Sequence, residues 1–401
     1  MSVAIAISYL DRQALSIAVA AIQKEIPLTN TDFSRLQIAF LAAYGLMYAG
    51  GGALIDRLGT RRGFLLIMVA WSLACAAHGL ATGLRSLATA RFLLGAGEGG
   101  GFPAATKAVA EWFPARERST AMGIINAGTA IGAVVAPPLI AAIVLSADWR
   151  WAFFACGAAG LLWTGWWALS YHPPDSHPGL SASERALIGD AGDSGGDAAA
   201  VIPWLNLLKL GEVWGLVLAK FLTDGAWYFY LFWLPKYLYD ARGFDVKQVG
   251  YYAWIPYAAA GVGSLTGGWF SSWLLTHGRS VDASRKIALG ASAAVMPLII
   301  FVTHVPVEWA IVLFSIAFFG QQSWSTLVMI VPTDLFPRGN VGSVAGLIGF
   351  GGAMGGIVSN LIAGRLLDLG MGYGTVFSIM GMCHVTAFVL ILLTVRRIER
   401  L

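Results

Sequence analysis

Charge is what this sequence has least of. Only 12% of its 401 residues are Asp, Glu, Lys or Arg, where soluble domains carry roughly 25%. Hydrophobic residues make up 57% and the mean hydropathy is +0.69. One water-soluble core could not bury that much apolar surface, so a soluble domain is excluded. The net charge is only +4, with no basic face of the kind nucleic acid needs. Cysteine is scarce too. Cys75, Cys156 and Cys383 each lie in an apolar run, and no pair has metal-ligand or redox spacing. They read as buried small hydrophobes with no disulfide framework. The histidines show no ligand spacing either, so neither a metal nor a cofactor is expected. No cleavable signal peptide is expected either, because the sequence opens in an apolar run without a basic segment or a small-residue cleavage site. The first span is expected to act as an uncleaved anchor.

What the chain has in abundance is apolar runs of membrane length. A spanning helix needs ~20 mainly apolar residues. That ruler places spans at 1–23, 34–55, 63–81, 86–112, 119–145, 149–171, 212–236, 248–275, 287–304, 308–332, 341–364 and 373–395. The one long polar stretch, 172–203, is rich in proline, glycine and acidic residues and reads as a solvated linker. Within it, Ser183 to Ile188 has the composition of a short surface helix. The expected fold is therefore an all-α polytopic membrane protein. Its twelve transmembrane helices form two pseudo-symmetric six-helix bundles, 1–171 and 204–401, joined by that linker. Lysine and arginine set the orientation. With both termini and the linker in the cytoplasm, fourteen basic residues lie inside and eight outside. An integral inner-membrane location follows.

The halves repeat one another. Glu111-Trp112-Phe113-Pro114 precedes a span with Gly123, Gly128 and Gly132. Asp334-Leu335-Phe336-Pro337 precedes one with Gly346, Gly351 and Gly355. Each pair is offset by 223 residues, as Gly351 is from Gly128. Repeated halves are a common transporter plan, with the cargo held between them.

Ionisable residues inside spans are costly and point to function. Asp11 and Arg12 lie in the first span, Arg91, Glu98 and Lys107 in the fourth, Lys220 and Asp224 in the seventh. Arg91 and Glu98 are two helical turns apart on one face. The arginine could bind an anion while the carboxylate takes a proton; the alternative is a structural ion pair. Lys107 either serves the substrate or pairs with Glu111 at i,i+4. Lys220 either serves the substrate or snorkels to an interface. The 223-residue offset carries Glu98 onto Gln321, an amide that cannot titrate. That suggests proton chemistry in the first half and neutral hydrogen bonding in the second. Gln321, Gln322, Ser323 and Asn360 would read a polyol, with Trp227, Tyr228 and Trp324 as flat surfaces for a ring. Gly95-Ala96-Gly97-Glu98-Gly99-Gly100 fits a dinucleotide-binding pattern, but inside an apolar span small residues for close helix packing explain it better.

The loop after the second span runs Gly52-Ala53-Leu54-Ile55-Asp56-Arg57-Leu58-Gly59-Thr60-Arg61-Arg62. It resembles the G-x3-D-R-x-G-x-R-R signature of the major facilitator superfamily, with Gly52, Asp56, Arg57, Gly59, Arg61 and Arg62 at the fixed positions of a gating loop. The second-half counterpart is degraded, with Ser272 and Trp273 where the Asp-Arg pair is expected. Tyr9-Leu10-Asp11-Arg12-Gln13 and the run from Arg91 through Glu98, Phe102-Pro103 and Glu111-Trp112-Phe113-Pro114 to Arg118 are similar to signatures of the anion:cation symporter family within it. Lys107, Asn126, Ala136-Pro137-Pro138, Lys220-Phe221-Leu222 and Trp233-Leu234-Pro235 resemble the hexuronate transporter branch. The resemblance implies a proton-coupled importer of a sugar acid, not an enzyme, with Asp11 and Glu98 as proton-coupling carboxylates. It implies that Tyr44, Arg91 and Asn126 line the substrate cavity. Thr129 stands where some relatives have Gln. The expected cargo is a hexuronate such as glucuronate or galacturonate. Other cargoes are an aldonate or an aromatic carboxylate, and a non-transporting receptor is the alternative of a different class. The expected partners are the small organic anion, protons and the lipid bilayer, with the chain working as a monomer. An export antiporter fits less well, because the fifth span lacks a Gly-Pro-x-x-Gly-Gly element.

Overall fold

The computed structural model describes residues 1–113, 115–181, 184, 188, 202, 204–336 and 338–399. Most of the stretch read as a linker, including most of the run from Ser183 to Ile188, lies outside the described residues. The chain divides into two compact units, Met1–Pro27 with Ala39–Asp197, and Leu28–Ile38 with Ala198–Leu401.

The fold is all-helical, with twelve membrane spans. The first six are α1 (Ser2–Ile22), α2 (Asn30–Leu58), α3 (Thr60–His78), the pair α4 (Leu84–Glu98) and α5 (Gly101–Trp112), α6 (Ala115–Ser146) and α7 (Trp149–Ser170). The next are α8 (Gly211–Arg242), the pair α9 (Val246–Tyr252) and α10 (Trp254–Thr276), and α11 (Val281–Ala294), which is extended by a 3-10 segment, Met296–His304. The last three are α12 (Val307–Leu335), α13 (Arg338–Asp368) and α14 (Gly372–Thr394). Among the described residues, eight helical segments are long and apolar enough to cross a membrane by length and composition alone. The spans outside that set are α2, α4 with α5, α8, and α9 with α10. Two of them are interrupted, α4 with α5 and α9 with α10, and α8 carries Lys220 and Asp224.

Local signals set the helix ends. Asp148 caps α7 by accepting from the Arg150 N–H at 2.8 Å. Asp245 and Gln248 form a reciprocal capping box at the start of α9. α8 stops at Gly243, whose φ of 66° lets the Phe244 N–H turn back to the Leu238 carbonyl. In the second unit the Asp368 carboxylate accepts the N–H groups of Asn30 and Thr31 at 3.0 and 2.8 Å, capping the start of α2. Outward-facing leucines such as Leu162, Leu169, Leu265 and Leu393 are largely exposed, the pattern of a surface solvated by lipid tails.

The repeated glycines have a common job. Gly128 and Gly132 of α6 lie on the Ser2 and Ala6 carbonyls of α1. Gly351 and Gly355 of α13 lie on the Val217 and Phe221 carbonyls of α8. A Cβ at any of the four would collide with backbone, so these two helix pairs approach as only small residues allow. Gly123 and Gly346 face open space, so the repeat there is in sequence without a packing role. The acids before the Phe-Pro steps are matched anchors as well. Glu111 accepts from Thr60 Oγ1 (2.7 Å) and the Tyr171 hydroxyl (2.9 Å), and Asp334 from Arg285 Nε (2.8 Å).

The fourth span departs from expectation. It is broken at Gly99-Gly100 rather than continuous over 86–112. Gly97 and Gly100 press on Trp71 and Ile67 of α3, and Gly95 on the Phe40 backbone. The glycines thus serve packing, as the sequence suggested, and the interruption between α4 and α5 falls at Gly99-Gly100.

Candidate functional site

In the first unit, two acids and two arginines gather in the interior. α1 supplies Asp11 and Arg12, and α4 supplies Arg91 and Glu98; all four are at most 3% exposed. Glu98 Oε2 accepts from Arg12 Nε at 2.5 Å. The pairing of Arg91 with Glu98 suggested by their spacing gives way to this one. Seven residues of helix rise roughly 10 Å, too far for a close contact along one face, whereas Arg12 reaches Glu98 sideways from α1. The Arg12 guanidinium lies over the rings of Tyr44 (4.6 Å), Tyr9 (4.9 Å) and Phe40 (5.5 Å). Arg91 lies over Phe40 at 4.9 Å. Desolvated cation–π contacts of this kind contribute up to ~2 kcal/mol each. They hold two guanidinium groups where water cannot.

Asp11 is fully buried, and neither of its oxygens makes a hydrogen bond among the described residues. The thiols of Cys75 on α3 and Cys156 on α7 lie beside it. Two of the three cysteines read as packing groups therefore stand at the charged cluster. Tyr44 belongs to the cluster through its ring. Asn126 is exposed on α6, and the half-buried Thr129 donates to its carbonyl at 2.7 Å. Lys107 does not take Glu111; its ammonium donates to the Ile55 carbonyl at the end of α2, 3.3 Å away.

The signature loop is built on Gly59. Its φ of 76° is open to glycine at little cost and starts α3 directly after α2. Arg61 Nη2 donates to the Ala168 carbonyl (2.7 Å), and the Trp167 indole returns a bond to the Arg61 carbonyl (3.2 Å). Arg57 and Arg62 are exposed. Gly52 and Asp56 lie where the structure leaves side-chain surroundings undescribed.

In the second unit, Lys220 pairs with Asp224 (2.9 Å) and donates to Ser325 Oγ (2.7 Å). The snorkelling alternative for Lys220 therefore fails: its ammonium is held inside by Asp224 and Ser325, and the residue as a whole is 6% exposed. Gln321 bonds to His384 of α14, a histidine whose sequence surroundings carry no metal-ligand spacing and so no signal of this role. Ser323 shares a 2.7 Å bond with Ser292. Asn360 is taken up by the fold, accepting from the Trp233 indole (2.8 Å) and donating to the Gly356 carbonyl (2.8 Å). Trp227 packs on Phe318, Tyr228 is half-buried on Phe232, and Gln322 is half-buried. Trp324 is fully buried in the apolar core of this unit rather than presented as a flat surface.

A profile described as Major Facilitator Superfamily matches residues 1–360. The chain belongs to the major facilitator superfamily. It is thus an integral, multi-pass membrane transporter and not an enzyme. The hexuronate transporter of Escherichia coli K12 is 31% identical over 386 residues, 93% of this chain and 87% of that protein. The galacturonate transporter of Dickeya chrysanthemi is 33% identical over 294 residues, 72% of this chain and 85% of that one. Among solved structures, a bacterial homologue of the human lysosomal transporter Spinster superposes with a TM-score of 0.75 at 16% identity. That match covers 98% of this chain and 94% of that one, and it shows a shared fold.

Proposed function

We propose that the chain is a proton-coupled symporter that imports a sugar acid, with the hexuronates glucuronate and galacturonate as its substrates. The observation that carries this reading is the buried Arg12–Glu98 pair, set beside Arg91 and Asp11 in one membrane-embedded cluster. A guanidinium without a counter-charge is expensive in this medium. When Glu98 takes a proton, Arg12 loses that counter-charge, and a substrate carboxylate replaces it through charge-assisted hydrogen bonds. Proton and anion each stabilise the state that accepts the other, which is a coupling free energy between sites. Arg91 is the second anion-holding group, and Asp11 the second proton carrier. The named cargo of the similar transporters supports the sugar-acid class.

The transport cycle is alternating access of two six-helix bundles, with the linker and both termini on the cytoplasmic side of the inner membrane. Moving one charge down the membrane potential yields ~2.3 kcal/mol per 100 mV, enough to concentrate substrate tens-fold. The test is uptake of labelled glucuronate and galacturonate into proteoliposomes under an imposed pH gradient. Accumulation that collapses with a protonophore is expected. Binding without accumulation would mark a receptor, and accumulation indifferent to the gradient would remove the proton.

A further inference from the structure

Gln321 occupies the place in the second unit that Glu98 occupies in the first, 223 residues earlier in the chain. Each is held by a nitrogen-bearing side chain from another helix: Glu98 by Arg12 of α1, Gln321 by His384 of α14. We infer that His384 is a positioning residue, whose Nε2–H grips the Gln321 carbonyl so that the amide NH2 is the edge offered to the transported acid. This rests on the reading of Gln321 as a substrate contact.

The argument is one of hydrogen-bond accounting. Both side chains are buried, His384 at 0% and Gln321 at 1% exposure. The imidazole is wedged against the Trp324 indole, ring centres 5.6 Å apart at 76°, and that indole also meets Phe388. His384 Nδ1 has no partner among the described residues. A doubly protonated ring would leave a charged N–H unsatisfied in apolar packing, with the Lys220 ammonium as a like charge nearby. The ring is therefore neutral, and two arrangements remain. If the Gln321 NH2 donated to Nε2, the proton on Nδ1 would be an orphaned buried N–H, and the amide oxygen would lack a donor. If Nε2–H donates to the Gln321 oxygen, Nδ1 carries only a bare lone pair, the more tolerable orphan. The second arrangement satisfies the amide oxygen and leaves the NH2, which has no hydrogen-bond partner among the described residues. A donor NH2 fits a carboxylate, hydroxyl or ring oxygen, all of which a sugar acid provides. Without His384 the amide is free to turn over and present its oxygen to those same acceptors.

The experiment is uptake of D-galacturonate and D-glucuronate into proteoliposomes of wild type, His384→Leu, His384→Gln, Gln321→Ala and the His384→Leu/Gln321→Ala double variant. His384→Leu removes the donor and should raise KM about five- to tenfold, the worth of one neutral hydrogen bond, with kcat within about twofold. His384→Gln keeps an N–H donor of similar reach and should recover most of the loss. Gln321→Ala should raise KM as much, and the double variant should add nothing to it. His384→Asn, polar but too short to reach Gln321, stands in for the leucine variant should that one fail to fold, with the same KM rise expected. An unchanged KM in the donor-less variants, additive losses in the double variant, or a fall in kcat that His384→Gln does not rescue would each overturn the positioning role. An unchanged KM in Gln321→Ala would overturn the contact beneath it. A wild type that takes up neither acid would overturn the transport reading and this inference with it.

Discussion

Replacing Glu98 by Gln tests the core of the coupling scheme, because it fixes the site in the shape of its protonated state. The side chain is fully buried and its oxygen lies 2.5 Å from Arg12 Nε. The glutamine keeps an oxygen for that N–H to bond but removes the counter-charge. Deleting one partner of a buried ion pair generally costs about 3–5 kcal/mol; with the hydrogen bond retained, the loss should fall below that range, and the protein should still fold. The arginine then waits for another anion. A charge-assisted bond contributes about 1.5–3 kcal/mol, so a substrate carboxylate that no longer competes with Glu98 should bind at least about tenfold tighter at neutral pH. Coupling should disappear. Under the proposed coupling, each unit of pH gradient should sustain ~tenfold accumulation per proton in wild type, since one unit is 1.36 kcal/mol. In Glu98→Gln the gradient should drive none, while counterflow exchange of labelled for unlabelled hexuronate persists. Proteoliposomes with an imposed gradient measure the first quantity, and exchange at equal pH the second. If the variant still concentrated substrate under the gradient, the proton would not travel through Glu98, and Asp11 would be the carboxylate to test next.

Arg91→Lys keeps the charge but loses the planar fork, so hexuronate affinity should fall roughly ten- to a hundredfold in a binding titration, and Arg91→Ala further; an unchanged affinity in Arg91→Ala would make this arginine structural. Gly355→Val drives a side chain into the Phe221 carbonyl and should lower stability in detergent by about 1–3 kcal/mol or prevent folding; a melting temperature equal to wild type would contradict the close α8–α13 approach. Asp224→Asn leaves Lys220 without its ion partner and should cost more stability than Lys220→Met/Asp224→Asn; equal losses in melting experiments would show that the pair is not coupled. A cysteine at Ser194 should react with a membrane-impermeant maleimide only in inverted vesicles, and labelling of intact cells would reverse the orientation proposed here.

Much of this architecture is readable along the chain, because lipid imposes a local rule. Every backbone polar group must be satisfied within its own helix, so apolar runs of the right length declare the spans one by one. Glycine is similarly local. Gly59 had to be glycine where the chain turns directly from α2 into α3, and the 223-residue register matches Gly128 and Gly132 to Gly351 and Gly355, which turn out to serve the same kind of close helix approach, each pair within its own unit. The buried charges were also visible as unlikely residues in apolar surroundings. Their partners were not. Arg12 reaches Glu98 across 86 residues, Gln321 meets His384 across 63, and Asn360 receives the Trp233 indole across 127. Helical spacing ranks neighbours along one helix, and it favoured Arg91 for Glu98. A long side chain takes the group that lies within hydrogen-bond reach, and in a bundle that group often stands on whichever other helix packs alongside. The break at Gly99-Gly100 was likewise hidden, since glycines at these positions fit an unbroken span equally well. Pattern along the chain therefore determined residence, span number and repeat, while packing between helices decided which charge faces which, because electrostatic and hydrogen-bond partners are chosen by distances of a few ångströms that only the packed helices define.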